Sequence, residues 1–274
     1  MTSPLRLEPL LTTDYEISVV LPVCSETETV RQIAAWLVDH LGSHLREIII
    51  VLSPDSNSES AAICRQLERS HALVAVHVQE DNPGLGRAVR EGIQRTHGNL
   101  VLLMDSDGEM DNETVVRMLE EMSAGKHGLV VASRWTHGGG FVGYSRTKLI
   151  LNWCFQRLFR ILFWTELRDL TYGFKLMHGE LARGIAWEGT LHEIACETTL
   201  KPIVLGIAAT EVPSRWTARK LGMTKNRFFR NFRYAWMALR VWLWGAVFDP
   251  SRTRVARGDE QVASKKLARL SATR

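Results

Sequence analysis

Residues 100–111, LVLLMDSDGEMD, set Asp105, Asp107, Glu109 and Asp111 at every second position directly after an apolar run. Carboxylates this close repel one another unless a cation or a cationic ligand sits among them. Oxygen donors of this kind suit Mg²⁺ or Mn²⁺ shared with the phosphates of a substrate. A helix N-terminus would account for Asp111 as an N-cap and for Glu113 in a first turn, but not for Asp105 and Asp107 at the end of a strand. A second segment, DNPGLGRAVREG (81–92), also follows an apolar run and enters a helix. Its third glycine position in G-x-G-x-x-G is Val89, so the dinucleotide pattern is incomplete. The turn either lets helix and strand pack closely or sets backbone N–H groups against an anionic or nucleoside ligand. Between residues 214 and 240 stand eight Lys/Arg, with no acid from Val212 to Phe248, a composition able to hold phosphate.

The elements that would position these groups are legible from hydrophobic pattern. Residues 17–22, 46–52, 72–79, 99–104 and 128–132 are short runs rich in Val, Ile and Leu. Between them lie helical spacings, such as Val30, Ile33, Ala34 and Leu37, and later Val115, Met118, Leu119 and Met122. Continuous apolar strands alternating with helices predict an α/β fold with a doubly wound, mostly parallel sheet covered on both faces. Ligands in such sheets bind beyond the carboxyl ends of the strands, which is where Asp105 and Asp107 fall.

A chain of 274 residues forms one large domain or two small ones. Its net charge of +4 is local, because residues 250–274 carry seven Lys/Arg against two acids. The rest is nearly neutral, which argues against a nucleic-acid binder. Cys24, Cys64, Cys154 and Cys196 are far apart, as expected of thiols in a reducing compartment rather than a zinc cage. The first residues lack the apolar core of a signal peptide, and no eighteen-residue stretch is free of charge. These features predict a cytoplasmic chain.

Six segments together carry a resemblance: VVLPVCSETETV (19–30), NPGLGRAVREGI (82–93), LLMDSDGEM (102–110), ASRWTHGGG (132–140), RDLTYGFKLM (168–177) and EVPSRWTARKLGMTK (211–225). In this order and spacing the chain resembles the inverting GT-A glycosyltransferases of family 2, especially dolichol-phosphate mannosyltransferases and related polyprenyl-phosphate glycosyltransferases. The resemblance implies that Asp105 and Asp107 look to the nucleotide ribose and the metal, with Glu109 where a metal-contacting Gln often stands. It places Pro22 and Glu26 in the first nucleotide loop and Gly84, Gly86 and Ala88 in the second. Arg134 resembles an arginine for donor or acceptor phosphate. Lys148 and Asn152 fall where an Arg and a Ser accompany it, with Arg146 as the alternative. Arg219, followed by Gly222 and Lys225, resembles a segment whose basic groups close on phosphate, with Thr224 in place of Ser.

The chain departs from that pattern at VLSPDSNSES (51–60), where Leu52 and Ser53 replace two aspartates, and Asp55 is the candidate substitute in nucleotide binding. The implied chemistry is transfer of a hexose from a GDP- or UDP-sugar, helped by Mg²⁺ or Mn²⁺, to a polyprenyl phosphate. A phosphate acceptor is already ionised and needs no base, whereas a hydroxyl acceptor would need a carboxylate, with Asp169, Glu193 or Glu197 as candidates. The rivals are a soluble transferase acting on a small-molecule or carbohydrate hydroxyl, and a silent nucleotide-sugar-binding protein.

Two segments suit a membrane surface. In 149–164, Asn152, Gln156 and Arg160 make a narrow polar stripe on an apolar helix; in 226–248, Asn226, Arg230, Arg233 and Arg240 oppose Phe229, Trp236, Leu243 and Trp244. Such helices lie in the plane of an interface, the alternative being that both pack on the domain or on a second subunit. The expected organisation is an extension (1–16), a catalytic domain (17–227), an amphipathic interface helix (228–248) and a basic tail (249–274). It describes a peripheral protein on the cytoplasmic face of a membrane, with homo-oligomerisation left open. His192 is expected to be a surface or hydrogen-bonded residue, His137 before its three glycines to belong to a mobile loop that either closes over substrate or does not, and Cys154 and Cys196 to be buried hydrophobes.

Overall fold

A computed structural model of the chain describes residues 15–80, 83–218 and 230–247. The chain runs β1 (Ile17–Val23), α1 (Glu28–Leu41), β2 (Leu45–Leu52), α2 (Ser58–Ser70), β3 (Val74–Val78), α3 (Leu85–Gln94), β4 (Leu100–Leu103) and α4 (Thr114–Ser123). It continues through β5 (Leu129–Ser133), β6 (Gly140–Val142), α5 (Arg146–Leu162), β7 (Lys175–His178) and α6 (Gly179–Gly184). It ends with α7 (Ile194–Val204), β8 (Ala209–Pro213), β9 (Arg215–Thr217) and α8 (Arg230–Val247).

Seven strands form one sheet in the order β3-β2-β1-β4-β7-β5-β8, and β6 pairs with β9 in a second, small one. All pairs in the large sheet are parallel except those of β7, which runs against both β4 and β5. The doubly wound reading therefore holds. The antiparallel strand was not foreseen, because KLMH is four residues long and opens on a lysine.

Strands β1, β2, β4 and β5 read as apolar runs because each feeds two cores. Along β1, Ile17, Val19 and Leu21 pack with α1, α2 and α4, while Val20 faces the layer holding α3, α7 and α8. Along β2, Ile48 and Ile50 join the first core and Ile49 and Val51 the second. That is the period-two alternation of a pleated strand buried on both faces. Helix α7 is buried from Ile194 to Pro202, so even its polar side chains lie inside. Among the described residues no helix is long and apolar enough to cross a membrane.

The two aromatic helices each leave large apolar side chains exposed while burying a narrow face. On α5 only Gln156 and Phe159 are buried, whereas Ile150, Trp153, Leu158 and Ile161 are exposed, Ile161 to 74%. On α8, Met237, Ala238 and Val241 are buried and Phe232, Trp236 and Leu243 are exposed. Arg233 and Arg240 reach back to Glu193 and Glu188, each with a closest contact of 2.9 Å. Helix α5 ends in a Schellman turn, with Trp164 N–H on Ile161 O and Thr165 N–H on Arg160 O. Trp164 occupies its left-handed position at φ 48°, where glycine is usual, and is 94% exposed.

Candidate active site

The acidic loop leaves β4 and is held in a fixed shape. Ser106 Oγ donates to Pro22 O at 2.6 Å, which ties the loop to the end of β1. Asp107 Oδ1 accepts the Glu109 N–H at 3.0 Å across Gly108, whose φ of 76° lies in the left-handed region. Thr217 N–H on Glu109 O then fastens the loop to β9. Asp111 is not the cap of α4 as its position predicted. Glu113 takes that place, and Asp111 accepts from Glu113 N–H and from Arg117 Nη2 at 2.8 Å.

Arg134 follows β5 and is buried with Asp169. Its Nε and Nη2 donate to the two carboxylate oxygens at 2.7 and 2.9 Å, and its guanidinium lies over the rings of Tyr172 and Phe141. Burial disfavours charge on both partners, but each holds the other charged. Arg134 is kept above its usual range and Asp169 below the usual carboxylate range. Among the described residues, Nη1 is the guanidinium nitrogen left without a hydrogen bond.

The carboxylates considered as bases for a hydroxyl acceptor are all held by cations. Asp169 has Arg134. Glu197, fully buried, has Lys201 Nζ at 2.6 Å and the N–H groups of Glu188 and Gly189. Glu193 has Arg233 together with the N–H groups of Thr190 and Leu191. Burial would raise the Glu193 carboxyl, but these donors bring it down to about 2.

The glycine turn packs closely against the 189–191 segment, with Gly84 on the wall of the cavity beyond the strand ends. A Cβ on Gly84 would sit 2.5 Å from Thr190 O, and one on Gly86 equally close to Gly189 O. Arg87 N–H donates to Thr190 O, so the 189–191 segment takes part of the helix end that was expected to meet a ligand.

A cavity of about 1180 Å³ opens beyond the carboxyl ends of the strands. It brings together Asp105, Asp107, Glu109, Arg134 and Lys148, with Pro22, Glu26, Asp55 and Gly84 on its wall. Asp169, Gly86 and Arg146 are not on that wall. Asp169 lies behind Arg134, Gly86 beneath the 189–191 segment, and Arg146 is exposed at the start of α5. Asn152 reaches the cavity but its amide is spent internally, accepting from Trp135 Nε1 and Gln156 Nε2 and donating to Thr171 Oγ1. Arg219 and Lys225 lie outside the described residues.

Several wall residues escaped the sequence reading. Gln79 is buried on the wall past β3, and Ser53, named from the sequence only as standing in place of an aspartate, is buried on it past β2. The strand-end rule that found Asp105 would have found them, but neither residue type announces chemistry. Leu151 and Phe155 from α5 and Phe232, Tyr234 and Ala235 from α8 add an apolar section. Leu151 and Phe232 are also exposed, so the cavity mouth runs into the outward apolar faces of both helices.

The sequence profile of Glycosyl transferase family 2 matches residues 18–185. The chain belongs to this family. It is a glycosyltransferase, as its resemblance implied. Among family relatives it is 27% identical over 218 residues to the undecaprenyl-phosphate mannosyltransferase of Micrococcus luteus, covering 76% of this chain and 86% of that one. It is 26% identical over 214 residues to the polyprenol monophosphomannose synthase of Mycolicibacterium smegmatis, covering 76% and 79%. Its fold matches the glucosyl-3-phosphoglycerate synthase from Mycobacterium tuberculosis in complex with UDP, with a TM-score of 0.64 at 17% identity over 88% of this chain and 86% of that one. The same enzyme in complex with Mn²⁺, UDP-glucose and phosphoglyceric acid aligns with a TM-score of 0.64, covering 88% and 85%. At this identity the likeness establishes the GT-A fold alone.

In this family 2 chain the donor set of the acidic loop fits a hard divalent cation, since Asp105, Asp107 and Glu109 offer oxygen only. Among the described residues no three His, Cys, Asp or Glu side chains close into a cage. Substrate oxygens would have to complete the shell.

Proposed function

We propose that the chain is a metal-dependent, inverting hexosyltransferase that moves a sugar from a nucleoside diphosphate donor to a polyprenyl phosphate at a membrane surface. The observation that carries it is the cavity itself. Carboxylates at Asp105 and Asp107 share one wall with the buried cation Arg134, and the mouth at Leu151 and Phe232 is apolar and exposed. A charged head with a hydrocarbon tail suits that lining. The relatives named for polyprenyl-phosphate substrates agree with it, and the M. tuberculosis neighbour with bound Mn²⁺ and UDP-glucose supports a divalent ion and a nucleotide sugar.

In this mechanism the acceptor phosphate oxygen bonds to the anomeric carbon as the bond from that carbon to the diphosphate oxygen breaks, inverting the centre. The nucleoside diphosphate leaves with the electron pair. A divalent ion at Asp105, Asp107 and Glu109 would stabilise charge on the leaving diphosphate. Arg134 and Lys148 hold the acceptor phosphate in line, with Arg219 and Lys225 as further basic partners, so that orientation lowers the barrier. A phosphate monoester has its second pKa near about 6 and supplies its own nucleophile. The engagement of Asp169, Glu193 and Glu197 with cations fits an acceptor that needs no base. Ser53, Asp55 and Gln79 would meet the nucleoside.

The exposed apolar side chains of α5 and α8 support interfacial binding, because large apolar faces left to water mark interaction sites. We take 17–227 as the catalytic unit and 228–248 as its interface helix, with the cytoplasmic leaflet as the surface approached. The test is transfer of labelled sugar from a panel of nucleotide sugars to a short polyprenyl phosphate, with Mg²⁺ or Mn²⁺ and with chelator. A metal-dependent, organic-extractable product is expected. Product with a hydroxyl acceptor alone would overturn the reading.

A further inference from the structure

Helix α5 turns one polar side chain fully into the protein. Gln156 is 3% exposed, on a helix whose neighbouring turns present Trp153, Leu158 and Ile161 outward. Its amide is saturated: Nε2 donates to Thr171 Oγ1 at 2.9 Å, to Asp169 Oδ1 at 3.2 Å and to Asn152 Oδ1 at 3.3 Å, while Oε1 accepts the Leu170 N–H at 2.8 Å. Two of these partners, Asp169 and Thr171, also accept Nη2 of Arg134, at 2.9 and 3.2 Å. Arg134 and Gln156 therefore hold the same two residues from opposite elements, the end of β5 and the middle of α5. Asn152, one turn earlier, joins the network through Trp135, the residue after Arg134.

A buried amide is costly unless its donors and acceptor are met, and here all are met by the segment that holds the arginine. Hydrogen bonds along such a chain polarise one another and fix a single geometry. We propose that Gln156 is a positioning residue: acting through Asp169 and Thr171, it sets the orientation of the Arg134 guanidinium and makes α5, the helix with the outward apolar face, a support of the phosphate-holding arginine. This rests on the proposed role of Arg134. Gln156 does not line the cavity, so its effect is on the arginine and not on substrate contact.

The test separates the two claims. In protein carrying ¹⁵N-labelled arginine, the Nε–H of Arg134 is assigned by its loss in Arg134→Lys, with no substrate needed. In Gln156→Leu this resonance is expected to shift and to exchange faster with solvent, with nucleotide affinity by calorimetry unchanged and kcat lower by about tenfold to a hundredfold. Gln156→Glu serves as the second variant and guards against misfolding of the first. A protonated glutamic acid can still donate to Asp169 and accept from Leu170, so its kcat defect should shrink as pH falls, whereas an ionised one faces the Asp169 carboxylate beside Arg134. An unshifted Arg134 resonance in Gln156→Leu, or defects in the two variants that are equal at every pH, would overturn the proposal. If wild type transfers no sugar to any polyprenyl phosphate, the functional reading fails, and the resonance still decides the role of Gln156.

Discussion

Asp169 grips Arg134 at three points, with its carboxylate accepting Nε, Nη2 and the main-chain N–H of the same residue. The arginine side chain is 9% exposed and the aspartate side chain not at all. Asp169→Asn leaves a buried guanidinium without its counter-charge, which costs about 3–5 kcal/mol. Because Asp169 is held below the ordinary carboxylate range, its contribution is present above that range and lost as pH falls through it. Urea unfolding at pH 7 should show the loss, and it should narrow toward pH 3. An equal penalty at both pH values would mean that the charge of Asp169 is not what stabilises.

Asp107 sits on a half-buried loop that turns through Gly108 and packs little core. Asp107→Ala is expected to lower transfer by about a hundredfold or more, the order expected when a stabiliser of developing charge is lost. Its stability should stay within about 0.5 kcal/mol of wild type. Binding of Mn²⁺ in the presence of nucleoside diphosphate, followed by electron paramagnetic resonance, should fall with it. Activity that survives the substitution would remove the metal role.

Trp164 combines two observations that pull apart. A left-handed backbone at a non-glycine residue costs about 1–2 kcal/mol, and this indole has almost no packing partner to offset that. Trp164→Gly is therefore expected to stabilise the fold by about 1 kcal/mol while weakening sedimentation with anionic vesicles. Ile161→Ser and Trp236→Ser should weaken it further, with nucleotide binding unchanged. Vesicle binding that survives all three would show that the exposed faces of α5 and α8 meet something other than lipid.

Lys175 lies fully buried under the cavity, its Nζ donating to Tyr172 O and Ala195 O, both at 2.6 Å. Burial pushes the amine down to about 7. Between about pH 7 and 9 the unfolded chain holds a proton that the folded chain lacks, so this group makes stability rise with pH, by up to about 1.4 kcal/mol per unit. Above pH 9 the buried thiols of Cys64 and Cys196, pushed up to about 11 and about 12, act in the opposite sense. Unfolding of wild type and Lys175→Met at pH 7, 8 and 9 should diverge in favour of wild type as pH rises. Parallel profiles would mean that the amine stays charged when buried.

Strands β1 to β5 and the acidic loop were legible because local rules act there: a doubly buried strand reads as an apolar run, and ligand groups follow its end. Strand β7 was not legible, since its pairing with β4 and β5 is decided by partners some 75 and 45 residues away in sequence. Of the site residues, Asp105, Asp107, Arg134 and Lys148 meet on one wall, while Arg146 and Gly86 stand apart from it. Sequence spacing cannot tell Arg146 from Lys148; the face that α5 turns to the cavity can.

The sequence by itself determined the family, five strands of the sheet and the place of the carboxylates, because motif order and hydrophobic period survive without knowledge of long-range contacts. It also found the polar stripes of α5 and α8 but not which way they turn. Only the tertiary structure decided that Gln156 is buried, that Arg233 and Arg240 pair with Glu193 and Glu188, and that Trp153 and Trp236 face out. Only it decided that Asp169, Glu193 and Glu197 are bound by Arg134, Arg233 and Lys201. A carboxylate can be a base or an anchor, and which it becomes depends on the cation the fold brings beside it.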